Sequence, residues 1–385
     1  MALRSRILEQ GILLLLLLLL IFLVSGGSTA ASTAEECNLF VGSWVVDETY
    51  PLYTAASCPF VQHEFSCVKN GRPDLGYTKY RWQPLHCDLS RFDGKLFLEK
   101  LRGKSILFVG DSLSRNQWQS LTCMLHSGVP NAHYTLTRVG DVSTFTFTVY
   151  FLITYAFFNI SIFLKRNDYI WRSMEYEVKV MLERNVYLVD IVREEIGRVL
   201  KLDMINEESS KLWQSVDFLI FNTWHWWNRR GSSQPWDYIE VGKEVSRDMN
   251  RMVAFEKALT TWGRWVDLNI DPQRNNVFFQ GISPSHYNGS LWGEPRAKSC
   301  VGQNEPVAGS VYPGGSLPAV AVLKAALSKI TNPVHLLDVT ELSLLRKDGH
   351  PSKYGLVGRT GLDCSHWCLA GVPDTWNLLF YNLII

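Results

Sequence analysis

The sequence predicts an α/β fold, and three observations support that expectation. From Lys104 onward, short β-rich runs are separated by stretches of helical periodicity, the pattern of a sheet interleaved with helices. One run, Ile106-Leu107-Phe108-Val109, passes through Gly110 directly into a helix start at Asp111-Ser112-Leu113. With 385 residues, 46% hydrophobic and 19% charged, the chain can bury one large core or two ordinary ones and lacks the charge excess that keeps chains disordered. The formal net charge of +1 leaves no broad basic field, so no nucleic-acid partner is expected. The 14 Trp, 15 Tyr and 19 Phe suit core packing first and the flat faces of sugar rings second.

Residues 1–31 have the layout of a secretory signal: Arg4 and Arg6, an apolar run from Ile12 to Val24, then small residues from Ser25 to Ala31. The run falls short of the about 20 apolar residues of a spanning helix, which favours a cleaved signal peptide over a retained signal anchor. Under either reading the rest of the chain enters the secretory lumen, and a single N-terminal anchor is the one membrane contact in view. The eight cysteines, Cys37, Cys58, Cys67, Cys87, Cys123, Cys300, Cys364 and Cys368, suit four disulfides in that oxidising compartment, although spacing does not reveal their pairing. No pair has Cys-x-x-Cys spacing, so no metal is expected. Asn159-Ile-Ser161 and Asn288-Gly-Ser290 are glycosylation sequons.

Residues 37–93 are rich in Cys, aromatic residues and turn signals such as Asn70-Gly71, and predict a loop-rich domain stapled to the main body, residues 94–385. In that body, buried strands are expected at Ser105–Gly110, Tyr187–Val192, Asp217–Asn222, Asn276–Gly281 and Val334–Val339. Helices are expected at Leu113–His126, Tyr238–Val266 and Leu317–Ile330. The stretch Val149–Leu164 breaks the pattern, being apolar and uncharged. It is short for a membrane helix and contains Thr154, Asn159 and Ser161, so a buried hairpin is the plainer reading.

The chemistry concentrates at two places. A strand that runs through Gly110 into a helix puts the Ser112 hydroxyl at the carboxyl end of the sheet, beside free N–H groups that favour a developing oxyanion. The same residues suit a plain helix cap by Asp111 or Ser112. Near the other end, Asp363-Cys364-Ser365-His366 places a carboxylate where it can orient an imidazole on one turn, leaving the second ring nitrogen to take the serine proton. The order Ser, Asp, His is known for triads on open α/β sheets. Cys364 and Cys368, if oxidised, would lock that turn. Asn222 ends a strand and opens Asn222-Thr223-Trp224-His225-Trp226-Trp227, a polar and aromatic cluster suited to an oxyanion donor and a sugar cleft or, more plainly, to a packed loop. His350 is a rival base, with only Asp348 near it in sequence, and is assigned a structural role.

Several blocks together resemble one family. Cys37-Asn-Leu-Phe-Val-Gly-Ser-Trp, Tyr50-Pro51-Leu52-Tyr53, Cys58-Pro59-Phe60, Asn70-Gly71-Arg72-Pro73-Asp74, Arg81-Trp82-Gln83-Pro84 and Cys87-Asp88-Leu89-Ser90-Arg91-Phe92 look like the N-terminal domain of the plant trichome-birefringence-like proteins. Gly110-Asp111-Ser112 and Asp363-x-x-His366 resemble that family's two catalytic blocks. The resemblance implies a three-layer α/β/α body with a mostly parallel sheet, of the Gly-Asp-Ser (SGNH) hydrolase type, with the Cys-rich segment packed on it. It also implies acetylation of a cell-wall glycan such as xylan or pectin in the Golgi or elsewhere in the secretory pathway. Ser112, Asp363 and His366 would be catalytic, with Asn222, Arg115, Trp224, His225 and Trp226 near the oxyanion or substrate. No bound cofactor is implied, but an acetyl donor is required, acetyl-CoA or another carrier. Secreted members acting in the wall as acetylesterases are the second reading; a glycan-binding protein with a relic site is the third. Two departures stand out: Ala370 where the family has proline, a minor change of turn, and an apolar insert at 149–174, which interrupts sequence expected to be nearly contiguous and reads as a retained, in-frame intron.

Overall fold

The structure, a computed structural model, describes residues 37–148, 150–151, 172–173, 176–355 and 361–385. The signal expected at 1–31 lies outside them, as do most of the 149–174 insert and the Asn159 sequon. No helix among the described residues is long and apolar enough to cross a membrane.

In the N-terminal segment, Gly42–Val46 (β1) pairs antiparallel with Tyr80–Pro84 (β2). Trp44 and Trp82 meet edge-on across this pair, and their indole N–H groups donate to the carbonyls of Leu342 and Leu39. The rings therefore bury apolar area without stranding a donor. The short helix Gly94–Lys100 (α1) follows, with the Asp93 carboxylate accepting from the Leu96 N–H.

The body then alternates. Ser105–Gly110 (β3) leads into Ser112–Gly128 (α2), followed by His133–Val139 (β4), Val142–Thr148 (β5), the two-residue strands Tyr150–Phe151 (β6) and Arg172–Ser173 (β7), and Val178–Arg184 (β8). Asp190–Glu194 (β9), Gly197–Lys201 (β10), Glu207–Gln214 (α3), Phe218–Phe221 (β11), Tyr238–Val241 (β12) and Glu244–Ser246 (β13) come next. Arg251–Asn269 (α4), Asn276–Gln280 (β14), Pro318–Leu327 (α5), Val334–Leu337 (β15), Thr340–Leu344 (α6) and Val372–Ile384 (α7) complete it. The main sheet has seven strands in the order β15-β14-β11-β3-β8-β5-β4. It is parallel from β15 to β8, while β5 and β4 are antiparallel additions at one edge.

Alternate residues of β3 serve two cores, as the period-two geometry of a strand requires. Ile106 and Phe108 pack with Leu121 and Leu125 of α2 and Trp376, Leu379 and Phe380 of α7. Leu107 and Val109 pack with Trp213 of α3, Phe255, Trp262 and Val266 of α4 and Leu323 of α5. Helices on both faces of one sheet give the three-layer α/β/α arrangement, with the Cys-rich segment packed on it. Tyr53 of that segment donates its hydroxyl to the buried Asp374 in α7.

Two expected elements differ. The main-sheet strand is Val178–Arg184, not Tyr187–Val192; Asp190–Glu194 belongs to a separate four-stranded sheet, because the apolar residues 187–189 pack into the second core as a connecting segment. The helix expected over Tyr238–Val266 begins only at Arg251. Gly242, at φ +61°, turns Tyr238–Val241 back onto Glu244–Ser246 as a hairpin, and the Asn250 side chain caps the helix by accepting from the N–H of Met252. The other strands and helices lie where the sequence placed them, to within a few residues.

Candidate active site

Gly110 is forced by its surroundings. A Cβ there would lie 2.3 Å from the Asn222 carbonyl oxygen and 2.5 Å from Ser114 Oγ, so the carboxyl end of β3 can approach that of β11 only without a side chain. Asp111 then caps α2: its Oδ1 accepts from the Leu113 N–H at 2.8 Å and from Asn222 Nδ2 at 2.8 Å. With the capping role taken by Asp111, the Ser112 hydroxyl is left to face across the site. Its N–H, at the first position of the helix, has no intrahelical acceptor and sits at the positive end of the dipole.

What it faces is His366. Ser112 Oγ lies 2.6 Å from His366 Nε2, and His366 Nδ1 lies 2.7 Å from Asp363 Oδ2. The Asp363 Oδ1 accepts from the backbone N–H groups of Ser365 and His366, so the carboxylate is held by the turn it belongs to. Burial works against charge on Asp363. The hydrogen bond and charge of His366 and the two backbone donors outweigh it and hold the carboxyl well below its ordinary range. His366 is likewise opposed by burial, but the bond to Asp363 and its charge raise the imidazole above its usual value.

The turn is pinned on every side. Cys364 is bonded to Cys300 and Cys368 to Cys67, so the two cysteines that bracket His366 anchor it to separate parts of the chain. Cys58 pairs with Cys123, Cys37 and Cys87 are also oxidised, and no described cysteine is free. Asn116, one helical turn beyond Ser112 and fully buried, accepts from the Trp367 N–H and donates to the Trp367 carbonyl. Its i, i+4 spacing from Ser112 was the only signal of that role in the sequence.

Such an arrangement can activate a serine toward an acyl carbon. The Ser112 proton passes to His366 as Oγ attacks, while Asp363 fixes the tautomer and stabilises the imidazolium. A family model described as "GDSL/SGNH-like Acyl-Esterase family found in Pmr5 and Cas1p" matches residues 89–383, and one described as "PMR5 N terminal Domain" matches residues 35–88. Protein trichome birefringence-like 41 of Arabidopsis thaliana is 59% identical over 91% of this chain and 91% of its own length.

The chain belongs to the trichome birefringence-like family. Relatives 38 and 39 from the same plant are 51% and 49% identical over 90% of the chain, covering 84% and 87% of their own lengths. As a member of the trichome birefringence-like family with an SGNH-type fold, it is an acyl-transferring or esterase-type enzyme.

The remaining trichome birefringence-like candidates occupy distinct places. Asn222 is buried, with its side-chain amide donating to Asp111, the residue before Ser112. Arg115 forms an ion pair with Glu64 and lies over Phe65, whose ring packs on His366. Trp224 packs on Phe255. His225 Nε2 lies 2.8 Å from the Ser283 carbonyl, with burial lowering its pKa. Trp226 is half-buried, with Arg229 at 3.6 Å and Arg184 at 5.1 Å from its ring centre. Asn288 is exposed and accepts from the Ser290 N–H through Oδ1. The Leu369–Ala370 peptide is cis.

Proposed function

We propose that this enzyme acetylates a plant cell-wall polysaccharide, xylan or pectin, by way of an acetyl-Ser112 intermediate. The unbroken hydrogen-bond chain from Ser112 through His366 to Asp363 carries the reading. Ser112 Oγ attacks the donor's acetyl carbonyl and gives its proton to His366, which passes it to the leaving group. A sugar hydroxyl then loses its proton to His366, attacks the acetyl-serine and departs as the ester, returning the proton to Ser112. The Ser112 N–H and the Asn222 amide are our candidates for the oxyanion donors, and Arg115, Trp224, His225 and Trp226 our candidates for substrate contacts. The acetyl donor is acetyl-CoA or another acetyl carrier. The place of action is the Golgi, as a membrane-anchored or lumenal protein, with secretion to the wall as the alternative.

The description of the matching family as acyl-esterases favours a second reading, a wall polysaccharide acetylesterase in which water takes the place of the sugar hydroxyl. The test incubates the full chain and Ser112→Ala with an acetyl donor and xylan or pectin oligomers, following glycan-bound acetyl and free acetate by mass spectrometry. Serine-dependent gain of acetyl on the glycan supports the transferase. Serine-dependent release of acetate from acetylated glycan without transfer supports the esterase, and binding without either reaction overturns both.

A further inference from the structure

Behind the catalytic turn, two histidine rings bridge two backbone carbonyls. His286 Nε2 lies 2.8 Å from the Leu344 carbonyl oxygen, His286 Nδ1 lies 2.6 Å from His350 Nε2, and His350 Nδ1 lies 2.6 Å from the His366 carbonyl oxygen. Both rings are almost fully excluded from solvent, at 0% and 1% exposure. A carbonyl oxygen only accepts, so each outer nitrogen must carry a hydrogen. The two inner nitrogens face one another and need one hydrogen between them, since otherwise two lone pairs meet at hydrogen-bonding distance. The chain of contacts therefore needs three hydrogens, and two neutral imidazoles carry two.

We propose that His286 and His350 share one additional proton as a single cationic pair, and that this pair positions His366 for catalysis by holding its backbone carbonyl. The second half rests on the reading of His366 as the base; the first half does not. The surroundings exclude two charges, and burial opposes even the first, which the contacts around the pair must offset. His350 stacks on Trp367 with 4.1 Å between ring centres, an aromatic face that favours a cation. The carboxylates of Asp363 and Asp348 attract the pair, the latter already tied to Arg346, while Lys347 and His366 oppose it. Arg72 donates to the carbonyls of His350 and Asp348 and fixes the loop that bears the ring. The rings of Trp292 and Tyr312 close the pocket around His286. Burial pushes both pKa values down, that of His286 to about 4, and His286 lowers that of His350 further, so a second charge is refused and the first is held only by the bond the two rings share.

When the shared proton leaves as the pH rises, one of the three bonds must open. Where the bond that opens is the one to the His366 carbonyl, the backbone there loosens while the Ser112 pocket itself is untouched, so the effect falls on kcat and not on KM. The primary test is nitrogen NMR of the full chain labelled with ¹⁵N-histidine, at the pH of maximal activity. Three protonated nitrogens among the four of His286 and His350 are expected; two would overturn the shared proton.

Kinetics test the positioning. His350→Leu should lower kcat by about tenfold with KM unchanged. His286→Leu should leave His350 neutral and still donating to the His366 carbonyl, keeping most of the activity and removing the fall of kcat at high pH. Full kcat in His350→Leu would refute the positioning, provided that Ser112→Ala is inactive. Activity surviving in Ser112→Ala would instead refute the serine mechanism and leave the NMR result to decide the shared proton. Should neither leucine variant fold, the wild-type NMR spectrum together with the high-pH limb of wild-type kcat decides: a limb that does not follow the loss of the third protonated nitrogen refutes the positioning.

Discussion

Replacing Asp363 by Asn tests the serine mechanism at its most constrained point. The asparagine oxygen can still accept from the backbone N–H groups of Ser365 and His366, which now meet Oδ1 at 3.1 Å and 3.0 Å, so the turn keeps its shape. Its NH₂ then stands 2.7 Å from His366 Nδ1, where a carboxylate oxygen accepted before. Nδ1 must become the acceptor, the ring proton moves to Nε2, and Nε2–H points at the Ser112 hydroxyl it should deprotonate. The wrong tautomer in an intact geometry costs about 10⁴ in kcat, or about 5.5 kcal/mol of barrier. The pH profile should move too. In the native enzyme the acid limb follows His366, whose pKa Asp363 raises, so activity appears on raising the pH through a value above the ordinary histidine one. Without the carboxylate, the residual activity should rise at a lower pH. The assay is acetyl release from an activated acetyl ester as a function of pH, with circular dichroism to confirm the fold. A loss smaller than tenfold, or an acid limb that stays in place, would refute the argument that Asp363 acts by orienting and charging His366.

Gly110→Ala should drive a methyl into the Asn222 carbonyl and Ser114 Oγ, destabilising the protein by about 1–3 kcal/mol and lowering activity; thermal melts of the two proteins check it. Asp374 is raised to about 6 by burial, despite the donors Ser120, Tyr53 and Gly371. Its folded-state pKa is above the unfolded one, so its favourable contribution is present at low pH and lost as the pH rises from about 4 through 6, by about 3 kcal/mol. Denaturant titrations at several pH values should show that slope, and Asp374→Asn should lack it. Deleting 149–174 should leave a folded enzyme, because β5 and β8 pair as far as Phe147 and Val178, and the excision closes them with Thr148, Glu175, Tyr176 and Glu177 as a short hairpin connection. A soluble deletion variant with an unchanged or higher Tm is expected, and failure to fold would show that the insert belongs to the structure.

The most legible parts of the sequence were those whose information is local. The passage from β3 through Gly110 into α2 is written in consecutive residues, and so is the three-residue spacing of Asp363 and His366. That Asp111 caps the helix while Ser112 meets the imidazole is not local, because either residue suits a cap; the position of Asn222 decides it. The strand Val178–Arg184 is hidden in the sequence by the long apolar insert before it, while Tyr187-Leu188-Val189 is a stronger run of apolar residues that packs as a connection. The false start of α4 has a similar cause: Ile239, Val241 and Val245 extend an apolar pattern upstream, and only Gly242 marks the turn. The partnership of His286 with His350 had no sequence signal, since the two residues lie 64 positions apart.

The bond between Cys67 and Cys368 has a bearing on how the enzyme can be made. Its two sulfurs are 301 residues apart, and one of them adjoins the turn that holds His366. A ribosome adding about 5–20 residues per second leaves Cys67 waiting roughly 15–60 s before its partner is made. Throughout that interval Cys58 and then Cys123 are within its reach, so the thiols must be kept from premature pairing or reshuffled afterwards by an isomerase. The turn that holds His366 is thus closed only after Cys368 has been made, and nascent chains released early should carry the serine strand but no working catalytic turn.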